Sequence, residues 1–377
     1  MGNAVATDAA VRGARAGHWG ARVRLRCLAL WRRLDFDDRA ALGMWAAAHL
    51  PLLVLAWAAS WAYKTGTNFA SLTGSFEHWD AARYRSIAQY GYFSPHAAAN
   101  DAAFFPGYPL VLAELAVPAA AGCVAVVALA RLAGDRRALL YLLTAPAVVF
   151  LLAGYSEGLF LAFAVPAWRA ASRGRYGRAA LLAALAGLVR PDGAFLAAAL
   201  AVMALTGPRG RRLRDAGTAC LGVAGPAAYE IYLRLASGSW DTWRKAMQAG
   251  WDLHLVTPVQ AFRATWSSAF GHGYPAWWAG EMQLELASFA VIALAALAFL
   301  LARRWPEAVF CGLAAAALAT QTWYTTSMRT LLVLFPVYVA LVRLEGRRPW
   351  VRHVYLGVCA PLAAAVGLLF LAYQWAG

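Results

Sequence analysis

The chain has 377 residues, of which 62% are hydrophobic and only 14% are charged. Soluble globular proteins are usually about 45–50% apolar and about 25% charged, so this composition excludes an ordinary soluble enzyme and predicts a multi-pass membrane protein. The net charge of +15 is also typical of nucleic-acid-binding proteins. We exclude nucleic acid as a partner because the basic residues follow the pattern of a membrane topology, as described below.

Apolar segments recur from Gly43 to Trp375, and several are shorter than the roughly 20 residues that a full transmembrane helix needs. They lie near 43–63, 109–130, 138–153, 159–171, 179–190, 193–206, 216–236, 286–302, 306–322, 330–342 and 353–374. The pattern predicts an all-α bundle of about 10–11 transmembrane helices. Residues 1–42 would form a basic tail, and residues 43–377 a single membrane domain.

The connecting segments alternate between arginine-rich and arginine-poor. Together with Arg169, the odd-numbered segments contain 25 of the 34 basic residues; these segments are 1–42, 131–137, 172–178, 207–215, 303–305 and 343–352. Because positive charge collects on the cytoplasmic side, the N-terminus is predicted to be cytoplasmic and the C-terminus outside. The arginines of the tail are then topology anchors, with contact to anionic lipid headgroups as the alternative. The first and fourth outer loops, 64–108 and 237–285, are long.

The first outer loop contains the polar and aromatic stretch EHWDAARYRSIAQYGY, residues 77–92. Asp80 is suited to cap a short helix from Ala81 to about Tyr90, which Gly91 would end. On helix physics alone, a capping role for Asp80 and an interfacial anchoring role for Trp79 explain the stretch as well as a functional role does. Such a helix would lie along the membrane surface.

Further charged residues lie on the outer, arginine-poor side. GYSEG contains Glu157, RPDG contains Arg190 and Asp192, and SMRT contains Arg329. A carboxylate at this depth needs a partner, and for Glu157 either Arg190 or Arg329 could supply it. Arginines next to carboxylates also suit the binding of a phosphate beside a general base. A purely structural ion pair explains Arg190 equally well.

Five motifs in this order resemble the PIG-V family, the bacterial relatives of GPI mannosyltransferase II. They are HWDAARYRSIAQYGY, FFPGYP, YSE, RPDG and SMRTLLVLFPVYVAL, and they run from about Trp79 to Leu344. The resemblance implies a GT-C glycosyltransferase of the bacterial cell membrane. It implies a polyprenyl-phosphate-linked mannose donor used at the extracytoplasmic face, and it leaves the glycan, lipid or protein acceptor unknown. Family members have more apolar sequence between the FFP and YSE motifs than lies between Pro109 and Tyr155.

The resemblance implies that Asp80 is the catalytic residue, and inverting transfer needs a base at that position. Arg190 and Arg329 would bind the donor phosphate, and Glu157 would orient one of them or contact the acceptor. A divalent metal between Asp80 and Glu157 stays open, although no ligand cluster demands one. The residues expected to bind substrate are Trp79, Arg83, Tyr84, Arg85, Glu157, Arg190, Asp192 and Arg329.

A secondary transporter or flippase of a lipid-linked or anionic substrate is the alternative. A transporter should have charges near the membrane midplane and interrupted helices in matched halves. The charges here lie at the predicted outer rim, which favours the enzyme. A non-catalytic membrane scaffold is the third interpretation.

Overall fold

A computed structural model describes residues 34–62, 74–111, 115–207 and 210–374. These ranges form helices and their connections, with one isolated β-bridge between Leu255 and Gln321, so the predicted all-α class is confirmed. The helices are α1 (Phe36–Ala62), α2 (Asp80–Tyr90), α3 (Ala116–Ala133), α4 (Arg137–Leu143), α5 (Glu157–Ala171), α6 (Tyr176–Val189), α7 (Asp192–Thr206), α8 (Arg212–Cys220), α9 (Ala224–Ser237), α10 (Thr242–Trp251), α11 (Pro258–Phe270), α12 (Ala276–Leu301), α13 (Trp305–Ala319), α14 (Ser327–Val333), α15 (Phe335–Arg347) and α16 (Trp350–Leu371).

The first helix begins inside the segment that the sequence assigns to the tail. It starts at Phe36 rather than near residue 43. The backbone N–H of Asp38 donates to Asp35 Oδ1 over 2.8 Å, and that of Asp35 donates to Asp38 Oδ2 over 3.3 Å. These reciprocal bonds satisfy N–H groups that a helix start leaves unpaired. Residues 1–33 of the predicted tail lie outside the described residues.

Four helices, α1, α3, α12 and α16, are long and apolar enough to cross a membrane. The pair α14 and α15 would be a fifth span, bent by 68°. The bend lies at Leu334, and Pro336 beyond it cannot donate the backbone hydrogen bond that a continuous helix needs. Helices α6, α7 and α13 are apolar but shorter. Helix length and composition identify four or five candidate spans among the described residues, so the total of 10–11 spans stays a prediction.

Two further predicted apolar segments, besides 330–342, are broken rather than continuous. In 138–153, α4 ends at Leu143, and the chain continues after Pro146 as a short 3₁₀ turn over Val148–Leu151. In 216–236, a 3₁₀ turn separates α8 from α9, next to Pro226. Because proline lacks the N–H that a continuous α-helix uses, each break has a local cause.

The predicted outer loop 237–285 is largely helical, since it contains α10, α11 and the start of α12. Thr257 accepts a hydrogen bond from the backbone of Gln260, and the Gln260 side chain accepts one from the backbone of Thr257. This capping box, followed by Pro258 at the first helical position, is a readable helix start. The sequence prediction began this helix at its apolar run, near residue 286, and therefore missed the ten helical residues 276–285 that precede the run.

The motif-bearing segments and the arginine-rich segments meet at opposite ends of the bundle. At one end His78 Nε2 lies 2.9 Å from the carbonyl oxygen of Phe370, which links the first predicted outer loop to the end of α16. At the other end Arg131 Nε donates to Asp38 Oδ1 over 2.7 Å. The helices α5, α6 and α7 run between these two ends.

Two motif glycines allow the chain to approach α6 closely. The Gly107 N–H of FFPGYP donates to the carbonyl oxygen of Leu188 over 2.7 Å, and a Cβ atom at residue 107 would lie 2.8 Å from that oxygen. A Cβ atom on Gly193 of RPDG would overlap the backbone of Gly187. Both glycines therefore fix the position of the link between α6 and α7, which contains Arg190.

We expect Gly193→Ala to lower the midpoint of thermal unfolding in detergent, because the added methyl group has no space against Gly187. Overpacking of this kind costs about 1–3 kcal/mol. Gly217→Ala is the matched control, since nothing lies within 4 Å of a Cβ atom at that helical position. The control should keep or slightly raise the midpoint, and equal losses in both variants would contradict the close contact.

Candidate active site

Five of the predicted site residues form one connected charged cluster. Arg329 Nη1 donates to Asp80 Oδ2 and Arg329 Nε donates to Glu157 Oε1, each over 2.7 Å. Arg190 Nη1 donates to the same Glu157 oxygen over 2.7 Å, and Arg190 Nε donates to Asp192 Oδ2 over 2.9 Å. Arg190 and Arg329 were the two predicted alternatives for the partner of Glu157, and both bind the same carboxylate oxygen.

Four members of the cluster are buried and Arg190 is partly buried, and the cluster carries one excess negative charge when all five groups are ionised. Glu157 is fully buried, and Asp80 is 7% exposed. Burial raises the pKa of the Asp80 carboxyl above its ordinary value of 3.8, although the attraction of Arg329 opposes this shift. Uptake of one proton at Asp80 would make the cluster electrically neutral.

Asp80 reaches the cluster because it is the first residue of α2 rather than its cap. The helix begins at Asp80, and the preceding Trp79 has a φ of 57° and makes no capping hydrogen bond through its side chain. The predicted capping role is therefore wrong: the carboxylate of Asp80 binds Arg329 instead of the helix backbone. The predicted helix end is confirmed, since the Gly91 N–H donates to the Ile87 carbonyl oxygen over 2.8 Å.

A second buried carboxylate, Glu285 of α12, holds the chain at the start of α14. Its Oε1 accepts from the Thr326 N–H over 2.9 Å, and its Oε2 accepts from the Met328 N–H over 2.8 Å. The guanidinium carbon of Arg329 then lies 4.8 Å from the ring centre of Tyr155, a cation–π contact. The backbone bonds of Glu285 fix the chain on either side of Ser327, and the Tyr155 ring contacts the guanidinium group directly. Sequence analysis missed Glu285, which lies at the end of a segment interpreted as loop.

A cavity of about 480 Å³ opens beside the cluster. Its charged wall consists of Asp80, Arg190, Asp192 and Arg329, and its aromatic wall includes Tyr84, Phe104, Trp243, Trp251, Trp278 and Trp323. Glu157 lies behind this wall. Sequence analysis missed the four tryptophans, for which the signal was the concentration of aromatic residues in the segments 237–285 and 323–329.

The other predicted substrate-binding residues lie away from the cavity wall. Trp79 is 42% exposed at the start of α2. Arg83 Nη1 lies 3.6 Å from Asp101 Oδ1, and Arg85 pairs with Glu77. The structure does not bring these three side chains to the charged cluster, and their binding roles stay predictions.

The position between Asp80 and Glu157 is taken by a guanidinium group. Arg329 donates to both carboxylates, so a metal bound between them would have to displace it. Among the residues that the structure describes, no three His, Cys, Asp or Glu side chains lie together in a way that could hold a metal ion.

Comparison with curated proteins finds partial similarity to GPI alpha-1,6-mannosyltransferase 2. The human protein (Homo sapiens) is 36% identical over 32% of this chain and 30% of its own length. The proteins of Mus musculus and Rattus norvegicus are also 36% identical, over 32% and 33% of this chain and 30% of their own lengths. The chain therefore matches less than a third of the length of these relatives.

No family model and no solved structure matches the chain. The partial similarity supports a relationship to a mannosyltransferase in this coarse form. The GT-C class and the bacterial origin stay predictions.

We expect Glu157→Ala to destabilise the folded protein, because Arg190 and Arg329 would lose a shared buried counter-charge. Removing one partner of a buried ion pair typically costs about 3–5 kcal/mol. Asp241→Ala is the control: Asp241 pairs with Arg244 over 2.8 Å at the surface, where a pair contributes about 0–1 kcal/mol. Thermal unfolding in detergent measures both, and a loss for Glu157→Ala no larger than the control's would contradict the cluster.

Proposed function

We propose that the protein is an inverting mannosyltransferase of the bacterial cell membrane that uses a polyprenyl-phosphate-linked mannose donor at the extracytoplasmic face. The observation that carries the proposal is the position of Asp80. Its carboxylate lies on a cavity wall, bound to Arg329, in a buried cluster with one excess negative charge. The partial similarity to a protein named as a mannosyltransferase supports mannose as the sugar.

The reaction is a single displacement at the anomeric carbon. The oxygen of the acceptor hydroxyl forms a bond to C1 of mannose while the bond between C1 and the phosphate oxygen breaks. The hydroxyl proton passes to the carboxylate of Asp80, and the polyprenyl phosphate leaves with the electron pair of the broken bond. Because the phosphate is already a good leaving group, the base and the phosphate-binding groups are the main requirements.

Arg190 and Arg329 bind the departing phosphate through N–H groups that the cluster leaves open. An arginine has five N–H donors, and the contacts to Asp80, Glu157 and Asp192 use the Nε and Nη1 atoms of the two guanidinium groups. Within the described residues no hydrogen bond to protein uses the Nη2 atoms, and we assign these atoms to the donor phosphate. Glu157 acts behind the wall by orienting both arginines.

The position of the charged cluster favours the transferase over the transporter. The charged residues of the cluster lie at the first residues of α2, α5 and α7 and near the start of α14. This places the charge at one end of the bundle, whereas transport across a membrane requires a polar site near the middle of the helices.

We expect Asp80→Asn to lower kcat by about 10²–10⁴-fold, the usual contribution of a general base. The assay follows labelled mannose from polyprenyl-phosphate-mannose in the purified protein. Asp38→Asn is a matched control, because Asp38 is a buried carboxylate that binds Arg131 at the opposite end of the bundle. Activity should survive in the control.

The assignment of Asp80 as the base and the mannosyltransferase activity itself would be refuted by different results. A folded Asp80→Asn variant with wild-type turnover would refute Asp80 as the base. A folded wild-type protein that never consumes the donor, with sugar, lipid and peptide acceptors supplied in turn, would refute the mannosyltransferase itself.

We also expect kcat/KM to fall on the acid side of its pH profile. Asp80 must be ionised to accept a proton, and burial raises its pKa above 3.8, so activity is lost as the pH drops through that raised value. Asp80→Asn should abolish this acid limb in the residual activity. An acid limb that persists unchanged in the variant would assign it to another group.

A further inference from the structure

A second cavity, of about 490 Å³, lies at the opposite end of the bundle from the candidate active site. Five arginines line it: Arg131, Arg169, Arg173, Arg175 and Arg178. They come from the end of α3, the last turn of α5, the turn that follows it and the first turn of α6. We call these residues and their cavity the arginine pocket.

The arginine pocket has more positive charge than its neighbouring carboxylates balance. Asp38 pairs with Arg131 over 2.7 Å, and Asp35 is the other carboxylate whose charge acts on Arg131. Arg173 and Arg178 form no ion pair with any residue in the described part of the chain. Within the described residues, five guanidinium groups face two carboxylates, which gives an excess of three positive charges and favours an anionic ligand.

The rest of the lining of the arginine pocket is apolar. Leu42 of α1 and Val124 and Val127 of α3 line it, and both helices are long and apolar enough to cross a membrane. Val124 is 51% exposed. A free phosphate has no apolar surface to bury against these residues, and a nucleotide has little, whereas the acyl chains of a phospholipid would cover them.

We propose that the arginine pocket binds the headgroup of an anionic phospholipid, with the lipid's acyl chains against α1 and α3. Arginine suits a phosphodiester because its planar group donates two parallel hydrogen bonds to phosphate oxygens. Basic pockets between transmembrane helices recognise anionic headgroups in this way. The site would tie α1, α3, α5 and α6 together at the end of the bundle remote from Asp80, and its existence does not depend on the proposed transferase activity.

The test measures binding of dioleoyl phosphatidylglycerol to the full chain in detergent by native mass spectrometry, against dioleoyl phosphatidylcholine with identical acyl chains. We expect tighter retention of phosphatidylglycerol by the wild type. Arg173→Gln with Arg178→Gln should weaken it about 30-fold, which corresponds to about 1 kcal/mol for each arginine at a membrane surface. Arg211→Gln with Arg214→Gln is the matched control, because it removes two exposed arginines of α8 and the preceding turn outside the pocket.

Three outcomes would overturn the proposal. Equal losses in the two double variants would reduce the effect to general attraction by basic segments. Equal retention of phosphatidylcholine would exclude headgroup recognition. If inorganic phosphate at millimolar concentration displaced the lipid completely, the pocket would be a free-anion site. Arg173→Gln alone should weaken binding by a smaller factor, and it serves if the double variant does not fold.

Discussion

One oxygen of Glu157 accepts hydrogen bonds from the buried Arg329 and from Arg190, whose side chain is 12% exposed, and the candidate active site depends on this shared contact. Removing five ionised groups from water is unfavourable unless each finds a partner of opposite charge. The two bonds span 33 and 172 residues of chain, so they bring together α5, the link before α7 and the start of α14. Asp80 joins through Arg329. Each charge that is removed from water needs a partner of opposite charge, and this requirement holds the parts of the site together.

The requirement explains why short motifs far apart in the chain have their particular residues. RPDG needs its arginine for Glu157 and its glycine for the close approach of α7 to α6. FFPGYP has no charged residue, yet Gly107 holds the end of α6 through Leu188. The motifs thus fall into two groups: those that supply charged side chains, and those that fix the position of the backbone. The latter contribute to the site only through the position they give to Arg190.

Much of this site could be predicted from the sequence. Arg190 and Arg329 stand out because they lie on the arginine-poor side, and Glu157 demands a partner by its depth alone. The direction of the Asp80 side chain could not be predicted, because a carboxylate at a helix start can bind the backbone or a distant arginine, and only the tertiary structure decides. Glu285 was missed for a different reason, because it lies in the segment 237–285, which was interpreted as a loop but is helical at that residue. Helix continuity was misjudged where prolines such as Pro226 interrupt apolar runs.

The short helix α5 also has a consequence for the interior of the bundle. Its 15 residues measure about 22 Å, whereas the hydrocarbon core of a membrane is about 30 Å thick. Twelve of these residues are buried, so α5 is surrounded by protein rather than by lipid, and its shortness leaves room inside the bundle at its two ends. The cavity beside Asp80 borders Ser156 at one end, and the arginine pocket borders Arg169 at the other. One short central helix thus separates two openings that lie on opposite ends of the molecule.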